Sequence, residues 1–282
     1  MRLVTFELDG ARRIGALQED RVVPLDDVAT DMLGLLNGAD AALDAASTVL
    51  DRAANSILLS DVRLCAPICA PPQVLGIGRN YMRKPEDVRH RGKQVWFSNS
   101  PSSIVGHGEP IVVPASAPSV DYEGELAVVI GREAHDIRGE DEAHAVIAGF
   151  TVANDVTNHD WLSQSPTVML AKSYTGNSPI GPWLVTRDEI PDPYALRIRT
   201  WVNDELRQDG TTADMLNRIT QQIEHLTERL TLMPGDVIMT GTPAGTGNRM
   251  DPPRFLVPGD VVRIEIEGIG VLENPVVAGR KR

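Results

Sequence analysis

From Leu126 to Ile130 the chain runs through five successive apolar residues with none of the alternation expected of a strand that has one wet face. A short run of this kind reads as a strand covered on both sides. The surrounding segment, VDYEGELAVVIG (Val120 to Gly131), is therefore predicted to be a buried strand, and it carries two glutamates at its head. Side chains alternate along a strand, so Glu123 and Glu125 point to the same face, roughly 7 Å apart at their Cα atoms, and their carboxylates can converge. A second pair with the same spacing, Glu265 and Glu267 in VRIEIEGIGV, alternates with Ile264, Ile266 and Ile269. That is the pattern of an antiparallel strand with a solvated face.

Other elements follow from the same reading. Residues 1 to about 60 form a small unit of short strands with turns at Asp9-Gly10 and Glu19-Asp20, then an alanine-rich helical stretch from about Asp26 to Asn55, interrupted near Gly38. The proline-rich CAPICAPPQ marks a boundary, placing a small N-terminal domain over 1–65 and a larger domain over 66–282. PGDV occurs at Pro234 and again at Pro258, each time before a β-rich run. Pro-Gly suits the centre of a type II turn, so the two runs are expected to be successive strands of an antiparallel, barrel-like or rolled sheet. TTADMLNRITQQIEHLTERLTL places Met215, Ile219, Ile223, Leu226 and Leu230 on one helical stripe, with Thr211 or Thr212 as cap. A short helix is expected over EDEAHAVIAGF. The fold class is thus α+β.

Composition narrows the partners. The 282 residues carry a net charge of −12, which disfavours nucleic acid as a ligand. No stretch approaches the roughly 20 apolar residues of a membrane span, and the N-terminus lacks the pattern of a signal peptide, so a cytoplasmic location is expected. The densest basic stretch is YMRKPEDVRHRGK, Tyr81 to Lys93, readable as a solvated loop or as a mobile segment meeting an anionic small molecule. Cys65 and Cys69, without further cysteines to complete a zinc set, are expected to be reduced packing residues.

Two adjacent carboxylates entering a core need a cation or strong donors. A third acid, Asp155, ends the strand-like segment of GFTVANDVT. Together the three make a hard all-oxygen set suited to Mg²⁺ or Mn²⁺. Lys172, in LAKSYTGNSPIGPW, is either a salt-bridge partner of that cluster or a group that stabilises negative charge on a substrate. The glycine-rich TGTPAGTG, Thr240 to Gly247, lacks the spacing of a P-loop or a dinucleotide fingerprint. It reads better as a turn offering backbone N–H groups and the Thr242 hydroxyl to a carboxylate.

Taken in order, NYMRKPED, VDYEGELAVVIG, GFTVANDVT, AKSYTGNSPIGPW, VNDELRQDGTTADML and PGDVIMTGTPAGTG resemble the fumarylacetoacetate hydrolase family from about Val74 to the C-terminus. The resemblance implies a mixed β-roll catalytic domain behind a small N-terminal domain, usually as a homodimer. It implies Glu123, Glu125 and Asp155 as Mg²⁺ ligands, with Mn²⁺ as a substitute. It places Lys172 and Thr242 against the substrate, with Gly241, Gln208 and Tyr81 around it. Family members act on small 2-oxo and 1,3-diketo acids, where the metal stabilises an enolate as a C–C bond breaks or a proton moves.

The departures concern the shell around the metal. Hydrolytic members carry a lid resembling N-Y-x-x-H-x-x-E, whose His and Glu activate water. Here Lys84 stands in place of His and Asp87 in place of Glu. To act as a base near neutral pH, a lysine must lose about 3 pKa units, on the order of 4 kcal/mol. Asn99 replaces a usual lysine, and His159 a common arginine. The expected activity is C–C hydrolysis or decarboxylation of an oxo acid, with Lys172 and Lys84 as catalytic candidates. The alternatives are a hydratase, dehydratase or tautomerase that needs no His-activated water, and a metal-binding protein without turnover.

Overall fold

In the computed structural model, which describes residues 1–52 and 55–280, the strand Gly124–Ile130 is fully buried along its length. Its two faces enter two different cores. Leu126, Val128 and Ile130 pack with Ile219, Ile223 and Ile264, whereas Ala127 and Val129 pack with Leu35, Leu36 and Met239. The uninterrupted apolar run thus has its expected cause, since each face would otherwise leave side chains in water at about 1.5–3 kcal/mol apiece. Glu125 shares the parity of Ala127 and Val129, so it lies on the face turned toward the second core.

Among the described residues the large sheet has twelve strands. Its central path runs Arg2–Leu8, Ser178–Thr186, Ile147–Asn154, Gly124–Ile130, Val237–Met239, Val74–Gly78 and Val95–Asn99. Arg2–Leu8 joins it by pairing Arg2 with Val185 and Leu3 with Leu184. A five-stranded sheet, in the order Glu205–Thr211, Arg197–Val202, Val261–Ile266, Gly270–Ala278 and Ile111–Val113, packs on the other core. This is the mixed α+β fold of large sheets and few helices, without a closed barrel. No helix of the described residues is long and apolar enough to cross a membrane.

Several boundaries differ from expectation for local reasons. The predicted strand from Val120 is broken at Tyr122–Glu123: Val120–Asp121 pairs with Thr157–Asn158 in a separate ribbon before Gly124–Ile130 begins. The N-terminal helical stretch is two helices, Met32–Asn37 and Ala39–Asp51, meeting at Gly38 as the interruption suggested. It starts later than Asp26 because Asp31 is the cap, accepting from Gly34 N at 2.7 Å; residues 53 and 54, near its expected end, lie outside the described residues. The helix expected from Thr211 shrinks to Ile219–Thr227. Thr211 does cap, but it caps only a 3₁₀ turn, Thr212–Asp214. Met215 then bridges to Tyr81, and Leu216 N donates to Asn80 O at 2.7 Å, so these backbone groups are spent on the 80s segment. Glu140–Ala145 is helical, while Ile147 onward is already strand.

Both PGDV segments turn as predicted, with Gly235 and Gly259 at positive φ and the residue after each glycine donating its N–H back to Met233 O or Val257 O. They lead into different sheets, however, Val237–Met239 in the large one and Val261–Ile266 in the small one. Glu265 pairs with Arg199 and Arg263 on the outer face of the small sheet, and Glu267 is exposed, the solvated arrangement its alternation indicated.

Candidate metal centre

The break at Tyr122–Glu123 does not separate the two glutamates. Glu123 N donates to Asn154 Oδ1 at 2.9 Å, and Asp155 N donates to Glu123 O at 3.0 Å, which docks the start of one strand onto the end of its neighbour. One carboxylate oxygen from each of Glu123, Glu125 and Asp155 consequently falls within 4.8 Å of the other two. Glu125 and Asp155 are buried, while Glu123 keeps 21% of its side chain exposed and forms the open side of the cluster. Three hard carboxylate oxygens at this separation fit an Mg²⁺- or Mn²⁺-type ion.

Each acid has its own support. Thr157 Oγ1 donates to Glu123 Oε1 at 2.9 Å, Gly241 N to Glu125 Oε2 at 2.7 Å, and Asn99 Nδ2 to Asp155 Oδ1 at 2.8 Å. Lys172, buried at the end of the short helix Met169–Lys172, spends its Nζ protons on Asp155 Oδ2 at 2.6 Å, Asp155 O at 2.7 Å and Glu123 Oε2 at 3.1 Å. It is therefore at least the salt-bridge partner of the cluster. Burial alone would lower the lysine's pKa, but Asp155 and Glu123 outweigh it and hold the ammonium well above its usual range. Burial, with Asp155 and Glu123 as like-charged neighbours, pushes Glu125 well up, and burial raises Glu123 despite Lys172 beside it. The cluster is short of positive charge.

The glycine-rich loop does offer N–H groups to carboxylates, but these are the chain's own. Gly241 N meets Glu125, while Gly247 N and Asn248 N meet the buried Asp121 at 2.8 Å each. Gly241 has φ +98°, and a Cβ there would lie 2.9 Å from Asn80 Cβ, so only glycine turns the N–H toward Glu125 without strain. The Thr242 hydroxyl goes to a carbonyl, Gly124 O, at 2.9 Å. Gln208 is fully buried, accepting from Gly124 N and donating to Thr242 Oγ1 and Pro243 O. Tyr81 is also buried, and its hydroxyl has no partner among the described residues.

The far end of the lid segment, from Lys84 to Asp87, lies apart from this network. Lys84 is exposed at the start of the 3₁₀ turn Pro85–His90 and makes none of the hydrogen bonds or ion pairs of the cluster. Asp87 turns inward, where its Oδ2 accepts from Arg83 N at 3.1 Å and Arg83 Nε at 3.3 Å. Cys65 and Cys69 are both free thiols. Sequence reasoning passed over Thr157, Asn154, Asp121 and the use of Asn99 as a donor. Thr157 was detectable in DVT, two residues past Asp155 in an extended segment, whereas Asn99 stood out only as a departure from a usual lysine, and its partner lies 56 residues away.

Comparison with known proteins fits this arrangement. Residues 73–277 match the family described as fumarylacetoacetate (FAA) hydrolase, C-terminal. The chain belongs to the fumarylacetoacetate hydrolase family. Among solved structures, a fumarylacetoacetate hydrolase from the psychrophile Exiguobacterium antarcticum superimposes with a TM-score of 0.89 at 36% identity, covering 99% of this chain and 100% of that one. A maleylpyruvate hydrolase from Sphingobium sp. SYK-6, solved with manganese(II) ion and pyruvate, gives 0.85 at 29% identity over 99% and 100% of the two chains. A 5-carboxymethyl-2-hydroxymuconate delta-isomerase from Mycobacterium smegmatis gives 0.80 at 32% identity, again over 99% and 100%.

Proposed function

We propose that this protein is a divalent-metal enzyme that cleaves a C–C bond of a small 2-oxo or 1,3-diketo acid, by hydrolysis or decarboxylation. The observation that carries the reading is the convergence of Glu123, Glu125 and Asp155 on one point with the buried Lys172 against them. Mg²⁺ is the expected ion, with Mn²⁺ as substitute; the manganese and pyruvate of the maleylpyruvate hydrolase support both the ion class and the substrate class. When bound, such an ion supplies Lewis acidity toward the oxygens of an oxo acid.

The chain's own residues set up the rest. Gly241 N and Thr157 Oγ1 orient Glu125 and Glu123, and Lys172 holds Asp155 and Glu123 while presenting fixed positive charge beside them. Glu123, on the open side, borders the space a substrate enters. In this reading the segment carrying Lys84 and Tyr81 closes over that entrance and Thr242 meets the substrate, while the buried Gln208 and Gly241 act from behind by holding Thr242 and Glu125. In this reading residues 1–65 form the small domain, 66–282 the catalytic domain, and two chains assemble as a homodimer.

A second reading, proton transfer or hydration of an oxo acid without C–C cleavage, is favoured by the likeness to the delta-isomerase and by Lys84, an exposed residue detached from the acids. The test is a panel of oxaloacetate, acylpyruvates and 2-hydroxy-alkenoates assayed after chelation and dialysis, with and without added Mg²⁺ or Mn²⁺. Cleavage products that appear only with metal support the first reading, and isomerised or hydrated products support the second. Full activity without metal contradicts both.

A further inference from the structure

We infer that Asn99 is a positioning residue of the metal centre, because its neutral amide fixes the Asp155 carboxylate while leaving the cluster two positive charges short of balance, the charge of one divalent cation. The inference rests on the metal reading above. Asn99 closes the strand Val95–Asn99 and is 1% exposed. Its Nδ2 lies 2.8 Å from Asp155 Oδ1 and 3.3 Å from Ser178 Oγ. The amide orientation is dictated by its partner, since a reversed amide would set oxygen against a carboxylate oxygen. Behind it runs a fully buried chain. Ser178 Oγ donates to Asn177 Oδ1 at 3.1 Å and shares a 2.9 Å hydrogen bond with Ser103 Oγ, and Asn177 Nδ2 donates to Val156 O at 2.6 Å.

Asp155 is thus gripped on Oδ1 by a neutral donor and on Oδ2 by Lys172. Among the described residues Lys172 is the one cation paired with the three acids, so three carboxylates set against one ammonium leave a formal charge of two negatives for an ion to meet. A lysine at position 99 could donate the same hydrogen bond, but it would cancel one of them. A donor that carries no charge holds the ligand while keeping the electrostatic demand for a divalent ion intact. The Oδ1 of Asn99, buried and without a partner among the described residues, also stays available to a donor.

The test is Mn²⁺ affinity, read from free Mn²⁺ by electron paramagnetic resonance, together with the spectrum of the bound ion, for the full chain, Asn99→Lys and Asn99→Ala. The expected result is a loss of about 100-fold for Asn99→Lys, the effect of a like charge close to the ion at an intermediate effective dielectric. Asn99→Ala should lose about tenfold, with an altered bound-ion spectrum as Asp155 is released on one side. Affinity and spectrum unchanged in both variants overturn the positioning role while leaving the metal reading intact. An Asn99→Lys variant no weaker than Asn99→Ala overturns the charge argument. If Asn99→Lys does not fold, Asn99→Ala decides, because a merely structural asparagine would lower stability without changing the spectrum. Absence of Mn²⁺ binding by the unmodified chain overturns the metal reading itself.

Discussion

Gln208 grips Gly124 through a closed ring of hydrogen bonds: Gly124 N donates to Gln208 Oε1 at 3.0 Å, Gln208 Nε2 to Thr242 Oγ1 at 2.8 Å, and Thr242 Oγ1 to Gly124 O at 2.9 Å. Gly124 is the residue between the two glutamates, so the ring fixes the backbone from which both acids project. Gln208→Leu strands a buried N–H and removes a buried donor, and is expected to cost about 2–4 kcal/mol in urea unfolding. A loss below about 0.5 kcal/mol would mean that the strand start is held by its ladder alone.

The other side of Gly124 is equally tight. A Cβ at Gly124 would lie 2.3 Å from Thr200 Oγ1 and 3.2 Å from Ile264 Cγ2, both on the small sheet. Gly124→Ala should therefore destabilise by about 1–3 kcal/mol through overpacking. Thr200 Oγ1 is buried and makes no hydrogen bond among the described residues, so trimming it removes the obstacle at little cost. The double variant with Thr200→Ala is expected to be more stable than Gly124→Ala alone, and additive losses in a double-mutant cycle would contradict the proposed clash.

Lys172→Met leaves Glu123, Glu125 and Asp155 facing one another without their cation. Removing one partner of a buried ion pair typically costs about 3–5 kcal/mol, and thermal unfolding in chelator should reveal a loss of that order. Added Mn²⁺ should raise the melting temperature of Lys172→Met by more than it raises that of the unmodified chain. Identical melting of the two chains in chelator would show that the lysine does not neutralise the cluster.

Lys84 and Asp87 should separate cleanly. Asp87 accepts from both the backbone and the guanidinium of Arg83, so Asp87→Ala is expected to loosen the turn and speed proteolytic cleavage between Arg83 and Arg91. Lys84 is exposed, and Lys84→Ala should leave global stability within about 0.5 kcal/mol. Any change in turnover by Lys84→Ala would then report on substrate contact rather than folding. Lys84→His is the complementary variant, and hydrolysis gained there would tie the altered lid to the choice of reaction.

The legible parts of this chain were those set by short-range periodicity. Unbroken apolarity at Leu126–Ile130 does mark a strand sandwiched between two cores, and alternation at Val261–Ile266 does mark a face in water. Gly38, flanked by helix formers, is where one helix gives way to another. What stayed hidden depended on partners far along the chain. Met215 has helical spacing from Ile219, yet its backbone bridges to Tyr81, a competition no local window contains. Glu123 and Glu125 share their spacing with the solvated Glu265 and Glu267, so they were singled out by the unbroken apolar run after them, by Asp155 at a strand end and by the family resemblance. The roles of Asn99, Gln208 and Gly241 as supports arise only when separate strands meet.

The strand Ser178–Thr186 has Ser178 at one end, behind Asn99, and the ladder to the chain's first strand at the other. Its outer edge is shared by two short borrowed pieces, Ile104–Val105 at Ser178 and Pro179, and Arg2 with Leu3 at Leu184 and Val185. Pro182, between them, has no N–H to satisfy. A chain cut at the proline-rich segment after residue 65 would lose the second piece and bare that stretch of edge. Unpaired edges invite pairing with other chains, so the shortened protein should clump before it unfolds. The opening residues thus act as a selvedge, finishing the border of a cloth whose pattern lies several strands away.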